Sequence, residues 1–301
     1  MEINYKEIES NSVGNKQDYT MRSMDFEEFL WAKGYSENQI EDLYRCMKEL
    51  KPLTTTQYDM MLMNFRDYMV LGGMPAVVSK YIENNSNFSG ILNMQQQILS
   101  DYEEDISKYA DGLDKARILN AYRKVAVFLG NENKKFQVSK ITDWARNREY
   151  SGVADWLSDA GIVNISYCME ECALPLGGNY NPDNYRLYFA DTGLLIASLD
   201  EEVQDDLRKN KNFNTYKGAI YENIVSDMLV KEGYKLYFYK NEKGTIEMDF
   251  FLRDSETLVP IEVKANDNST TSLNTMIDSK TYTFPYFLTF LLKRYLKEKN
   301  N

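Results

Sequence analysis

After an apolar-poor opening over residues 1–22, apolar side chains recur three and four positions apart from Ser23 to about residue 130, the spacing of helices with one buried face. Ser23-Met-Asp-Phe-Glu-Glu-Phe-Leu-Trp31 opens the first helix, with Ser23 placed to cap it and Asp25, Glu27 and Glu28 at its positive end. Ser36-x-x-Gln39 and Thr54-x-x-Gln57 are capping-box patterns that open two more. The second of these carries Tyr58, Met61, Leu62, Phe65 and Met69 on one face, a pattern that predicts core packing. Leu71-Gly-Gly-Met-Pro75 ends one helix and starts the next, with Pro75 in the first turn. A long helix follows from Ile91 through Gln95, Ile98, Tyr102 and Ile106 to Tyr109, and its acidic run Asp101–Asp105 reads as a solvated face.

From Asp114 to Ile165 the pattern predicts a winged helix: helices over Asp114–Leu129, Val138–Arg146 and Tyr150–Asp159, a stop at Gly161, then an alternating strand, Ile162–Cys168, and a wing. The recognition helix presents Arg146, Arg148, Tyr150 and Ser151, and Lys134, Lys135 and Lys140 add a mild basic bias. That pattern fits DNA contact in the helix-turn-helix manner, but the small basic bias and sparse aromatic interleaving favour a packing module with a solvated face. Further on, Asp191 is placed to cap the turn after Tyr185–Phe189, and 201–214 reads as a helix end plus loop. Tyr216–Glu232 reads as a helix stopped by Gly233, and Tyr234–Lys240 as a strand. Two more strands, Glu247–Arg253 and Leu258–Ala265, flank an Asp254-Ser-Glu256 turn. A Thr270–Met276 helix follows. Tyr282–Leu288 is then an edge strand, because Pro285 cannot donate to a central ladder, and Leu291–Asn301 is a basic exposed helix.

Composition narrows the chemistry. The chain has 301 residues, room for two or three domains, and at 43% hydrophobic and 27% charged it is an ordinary globular sequence. Its longest apolar run, Phe284–Leu292, is interrupted by Pro285 and is too short to span a bilayer, and no signal-peptide pattern opens the sequence. Three cysteines make no disulfide framework, so a reducing cytoplasm is expected. There is no histidine, which removes Ser-His-Asp, Cys-His and HExxH chemistry. Acid–base work therefore falls to carboxylates, Lys, Tyr or a metal ion. The net charge of −11 argues against indiscriminate DNA coating, but the acidic excess lies in the first 200 residues and 201–301 are close to neutral.

Acidic side chains inside the last two strands mark the candidate site. Side chains alternate along a strand, so Glu262 and Lys264 share one face, and in a hairpin Asp249 lies near Glu262. Two carboxylates and an ammonium at a sheet edge suit Mg²⁺ or Mn²⁺, which takes one or two carboxylates plus water and phosphate oxygens. Val263 can add its carbonyl as a ligand, Lys264 can orient water or neutralise developing charge, and Glu222 can supply a third carboxylate from the preceding helix.

The order helix-Glu222, strand-Asp249, strand-Glu262-x-Lys264 resembles the PD-(D/E)xK nuclease fold in its Holliday-junction-resolvase-like branch. The segments SMDFEEFLWA, GGMPAVV, ILSDYEEDISKY, YFADTGLL and KGAIYEN resemble, in that order, a prokaryotic family of AAA-type ATPases. In that family an ATPase module precedes a domain of unknown function that ends in a resolvase-like nuclease fold. The resemblance runs from about Tyr19 to Asp278. It implies an α/β protein with an N-terminal helical bundle, a winged helix and a mixed-sheet PD-(D/E)xK restriction-endonuclease-like domain. The expected divisions are 1–22 as a remnant of the ATPase module, 23–111 as the bundle, 112–186 as winged-helix-like and 187–301 as nuclease-like.

One departure is large. The family's Gly-rich phosphate loop is missing, and Gly14-Asn-Lys16 does not resemble one, so no ATP site and no ATP hydrolysis are expected of this chain. The sequence reads as the part of such a protein that follows the Walker motifs. Two functions follow from the resemblance. One is a Mg²⁺-dependent DNA nuclease with Asp249, Glu262, Lys264 and Glu222 as its catalytic set and Lys140, Arg146 and Arg148 as nucleic-acid contacts. The other is an inactive accessory remnant that binds DNA or a protein. Candidate partners are DNA, a separate ATPase or further copies of the chain, with no membrane.

Overall fold

The structure, a computed structural model, describes residues 19–110, 114–131, 134–141, 150, 152–199, 202–208, 215–264, 271–278, 284 and 288–291. Within them lie eleven α-helices and seven strands, a mixed α/β architecture with no closed barrel. None of these helices is long and apolar enough to cross a membrane.

Six helices come first: α1 Phe26–Ala32, α2 Glu37–Lys48, α3 Thr55–Leu71, α4 Pro75–Glu83, α5 Ile91–Tyr109 and α6 Lys115–Leu129. Both expected capping boxes are present, Ser36 with Gln39 and Thr54 with Gln57. The cap of α1 is Asp25 rather than Ser23, because only Asp25 has a Glu three residues on to return a bond to its own backbone N–H. The apolar face of α3 is buried mainly at its C-terminal end, in Tyr68, Met69, Val70 and Leu71, while Met60 and Met63 stay exposed. In the acidic run of α5, Glu103 pairs with Arg123 of α6 at the surface.

A short 3₁₀ turn, Val138–Lys140, stands where the sequence predicts a helix to Arg146; residues 142–149 lie outside the described set. Then come α7 Val153–Asp159, β1 Val163–Met169, β2 Tyr180–Phe189, α8 Thr192–Ala197, α9 Val203–Arg208 and α10 Thr215–Lys231. The remaining elements are β3 Leu236–Lys240, β4 Glu247–Met248, β5 Phe250–Asp254, β6 Thr257–Lys264, α11 Thr271–Asp278 and β7 Leu288–Leu291.

Two sheets form, ordered β2-β1-β3-β4 and β5-β6-β7. β1 pairs antiparallel with β2 and parallel with β3, so the strand predicted to lead into a wing is central to a sheet shared with the C-terminal part. The single strand predicted over Glu247–Arg253 is split. β4 pairs with β3, β5 pairs with β6, and the chain passes from one sheet to the other at Asp249. Among the described residues the last strand is Leu288–Leu291, parallel to β6 at the sheet edge; of the strand expected over Tyr282–Leu288, all but Phe284 and Leu288 lies outside the described residues. The expected terminal helix falls at 292–301, outside the described residues.

A buried polar latch joins the helices to the sheet. Asp191, the N-cap of α8, accepts hydrogen bonds from Leu194 N at 3.2 Å and from Gly73 N at 2.7 Å. A Cβ on Gly73 would lie 1.9 Å from the Met24 carbonyl oxygen, and one on Gly193 2.2 Å from that of Leu71, so both contacts require glycine. Gln95 donates to the Val70 and Leu71 carbonyls at 3.0 and 2.9 Å, which satisfies the C-terminal end of α3. Lys231 ties α10 to the same place, bonding Asp227 at 2.8 Å, the Met24 carbonyl at 2.9 Å and the Tyr68 hydroxyl at 3.0 Å.

Candidate functional site

Where the two sheets meet under α10, ionisable side chains converge out of water. Helix α10 is apolar on most sides, with Ala219, Ile220, Tyr221, Ile224 and Val225 buried, so its polar residues go inside with them. Asn223 fixes the helix against the end of β2: it accepts from Phe189 N at 2.8 Å and donates to the Phe189 carbonyl at 3.2 Å. One residue earlier in the helix, Glu222 is only 3% exposed.

The centre of the cluster is Arg186 of β2, 2% exposed, its guanidinium carbon 4.0 Å from the centre of the Phe238 ring. Arg186 Nη2 bonds Glu247 Oε1, while Nη1 lies 3.8 Å from both Glu222 Oε2 and Asp249 Oδ1. Lys134 reaches Glu222 Oε1, Tyr188 donates to Glu222 Oε2 at 3.4 Å, and Lys240 pairs with Glu247 Oε2 at 2.7 Å. Asp249 Oδ2 accepts from Val263 N at 2.8 Å, a bond made at the crossing between the sheets.

The β5–β6 ladder begins with Phe250 paired to Ile261; Asp249, just before it, lies outside the ladder and meets β6 through the Val263 N–H. Glu262 is 3% exposed; its Oε1 meets Lys264 at 2.8 Å, and its Oε2 is buried without a hydrogen-bond partner. Arg186 Nε and Nη1 are in the same condition. Among the described residues no group of three or more His, Cys, Asp or Glu side chains is placed to hold a metal ion. Glu222 is thus engaged by Lys134 and Arg186 and Asp249 by Arg186 and the Val263 N–H, while Glu262 keeps one oxygen unpartnered.

Burial and charge shape the titration of the cluster. Burial, with Glu222 nearby, raises the Asp249 carboxyl to about 7 against the opposing pull of Lys134, Arg186 and the Val263 N–H. Burial acts the same way on Glu247, but Arg186 and Lys240 outweigh it and hold that carboxyl below the usual range. Lys134 loses hydration, yet Glu222 and Asp249 keep its ammonium charged more firmly than normal.

Glu222, Asp249, Glu262, Val263 and Lys264 thus lie at one junction. Lys140 is exposed on the 3₁₀ turn, away from this burial, and Arg146 and Arg148 lie outside the described residues. Beside Lys140's turn is a cleft of about 560 Å³ whose lining includes Lys135, Tyr150, Asp155, Tyr167, Asp183 and Tyr185. Burial, then the charges of Asp155 and Asp183, push the Tyr185 hydroxyl up to about 12.

Sequence reasoning missed Arg186, Glu247, Lys134 and Tyr188. Two signals were readable. Glu247 stands two residues before Asp249, and Arg186 interrupts an otherwise apolar run, Leu187-Tyr-Phe-Ala190. Lys134 gave none, since its partner is 88 residues away.

Comparison with known families gives two matches. Residues 62–205 match the family model of a domain of unknown function (DUF8612). Residues 217–287 match that of another (DUF4143), commonly found in AAA-ATPase-associated proteins. No curated protein and no solved structure matches the chain.

Proposed function

We propose that the junction is a metal-dependent phosphodiesterase site acting on DNA, on a PD-(D/E)xK-like arrangement of α10, β5 and β6, with the 114–189 region as a winged-helix-like module. The observation that carries this reading is Glu262 Oε2, a buried carboxylate oxygen with no hydrogen-bond partner, on the residue next to Val263, whose N–H bonds Asp249. An unsatisfied buried acceptor costs about 1–3 kcal/mol, a cost that a bound cation removes. The donor set fits one hard divalent ion: Asp249, Glu262 and the Val263 carbonyl would hold it, with water completing the shell. Mg²⁺ bound there supplies Lewis-acid stabilisation of charge on the phosphate.

The chain's own residues do the rest. Lys264 sets the orientation of Glu262 through their 2.8 Å ion pair and places an ammonium beside the reacting phosphate. Glu222 holds Lys134 and Arg186 in position from behind. Mg²⁺-dependent cleavage of branched or single-stranded DNA by the purified chain, lost in Glu262→Gln, is the expected result; equal cleavage by both proteins discards the reading.

A second reading has its own observation. Glu222, Glu247, Asp249 and Glu262 are met by Lys134, Arg186, Lys240 and Lys264, so the charges balance with no metal present. That balance favours an inactive accessory module that binds DNA, a separate ATPase or another copy of the chain. DNA binding without cleavage, unchanged by Asp249→Asn, would select it.

A further inference from the structure

We propose that the cleft beside the 3₁₀ turn Val138–Lys140 is a docking site for an arginine side chain of a partner polypeptide, received by the Asp155 and Asp183 carboxylates among tyrosine rings. It applies under either reading of the junction, because the two sites are separate. Side chains alternate along β2, so Tyr185 borders the cleft while Arg186 lies on the opposite face of the sheet.

An irregular ladder builds the cleft. β1 and β2 pair in step from Val163 with Phe189 to Tyr167 with Tyr185, and the next pair is Cys168 with Asn181. Pro182, Asp183 and Asn184 therefore have no partner on β1, a bulge that leaves Asp183 exposed at the cleft. Asn181 pins the bulge, its side-chain oxygen accepting from Asp183 N at 2.8 Å. Asp155 comes from the first turn of α7 and accepts from the Tyr167 hydroxyl at 3.3 Å. Tyr185 is held twice: its carbonyl accepts from Phe136 N at 2.9 Å, and the Phe136 ring stacks on its own with centroids 5.6 Å apart.

The lining is rich in acceptors that have no donor. Among the described residues the Asp183 carboxylate meets no cation, and Asp155 meets only the Tyr167 hydroxyl. Tyr150 is 4% exposed and borders the cleft, and its hydroxyl has no hydrogen-bond partner among the described residues. A buried phenol ordinarily finds one. The charges of both carboxylates reach the Tyr185 hydroxyl, and the described lining holds one cation, Lys135. A ligand that fits must bring positive charge and several donors. Guanidinium does: it is planar, has five N–H donors and no acceptor, and stacks on aromatic faces. An ammonium brings charge with fewer donors and no plane. A phosphate would be repelled by both carboxylates, which turns this cleft away from a DNA backbone. At about 560 Å³ it has the size of a site for a whole small ligand, so peptide groups flanking the arginine enter with it, and Gln137 and Ser139 in the lining can bond them. Free arginine fits less well, because its α-carboxylate would join Asp155 and Asp183.

Ligand-observed NMR on the purified full chain tests this, with N-acetyl-arginine methylamide as the probe. Saturable binding is expected in the wild type. It should weaken about tenfold in Asp183→Asn and, from a different element, in Asp155→Asn, each variant losing one charge-assisted hydrogen bond. Asp183 is exposed, so its variant is expected to keep the wild-type melting temperature. N-acetyl-lysine methylamide and free L-arginine should both bind more weakly than the probe. No saturable binding, or equal affinity in the wild type and both variants, overturns the site. Free arginine binding as tightly as the probe overturns the polypeptide source, and the lysine compound binding as tightly overturns the guanidinium. Displacement of the probe by single-stranded DNA overturns the proposal in favour of nucleic acid.

Discussion

Two buried ionic networks, both anchored on α10, solve the same problem differently. Around Asp191 and Lys231 the polar groups meet hydrogen-bond partners: backbone N–H groups for Asp191, and a carboxylate, a carbonyl and a hydroxyl for Lys231. At the junction around Arg186 most do as well, but three buried atoms, Arg186 Nε, Arg186 Nη1 and Glu262 Oε2, stay without a hydrogen bond. A satisfied network rigidifies and joins; one left open costs free energy that a fold alone has no reason to spend. The difference separates the latch, which holds helices to sheet, from the junction, where a ligand has something to gain.

The largest effect that sharpens this contrast is expected from Arg186→Met. Removing the shared cation leaves Glu222, Glu247 and Asp249 facing one another, at a cost of about 3–5 kcal/mol in urea unfolding at pH 8. A loss below about 1 kcal/mol would mean that the acids do not depend on it. Asp191→Ala strips the acceptor from two buried N–H groups, and a loss of about 3 kcal/mol is expected from the same measurement.

The pH dependence comes next. Burial raises Asp249 and Asp227 from an ordinary 3.8 to about 7, against the lowering pull of Lys134 and Arg186 on the first and Lys231 on the second. A folded-state value above the unfolded one means that the folded chain binds more protons. Each group's stabilising share is therefore full below about pH 4 and lost as pH rises through 7, roughly 2 kcal/mol per group between pH 5 and 7. Asp227→Asn should flatten the latch's share of that slope, and Mn²⁺ should flatten the share of Asp249. The smallest effect belongs to the surface: Arg123→Ala breaks an exposed pair with Glu103 and should change stability by less than about 1 kcal/mol.

Local signals were legible in the sequence because local chemistry decides them. Ser36, Thr54, Asp114 and Asp191 cap helices where their spacing to the next polar or backbone partner requires it. The β5–β6 hairpin follows from period-two alternation. The misses are long-range. Nothing near Val163 says that its strand will lie parallel to Leu236–Lys240, and nothing near Asp249 says that the chain changes sheets there. Arg186 looked like one more strand residue, because its partners at 222, 247 and 249 are set by tertiary packing.

The account turns on whether the carboxylate pair binds a cation, and calorimetric titration of Mn²⁺ into wild type and Asp249→Asn addresses that directly. Saturable binding in the wild type that disappears in the variant is the predicted result. Equal binding by both proteins, or by neither, would contradict it.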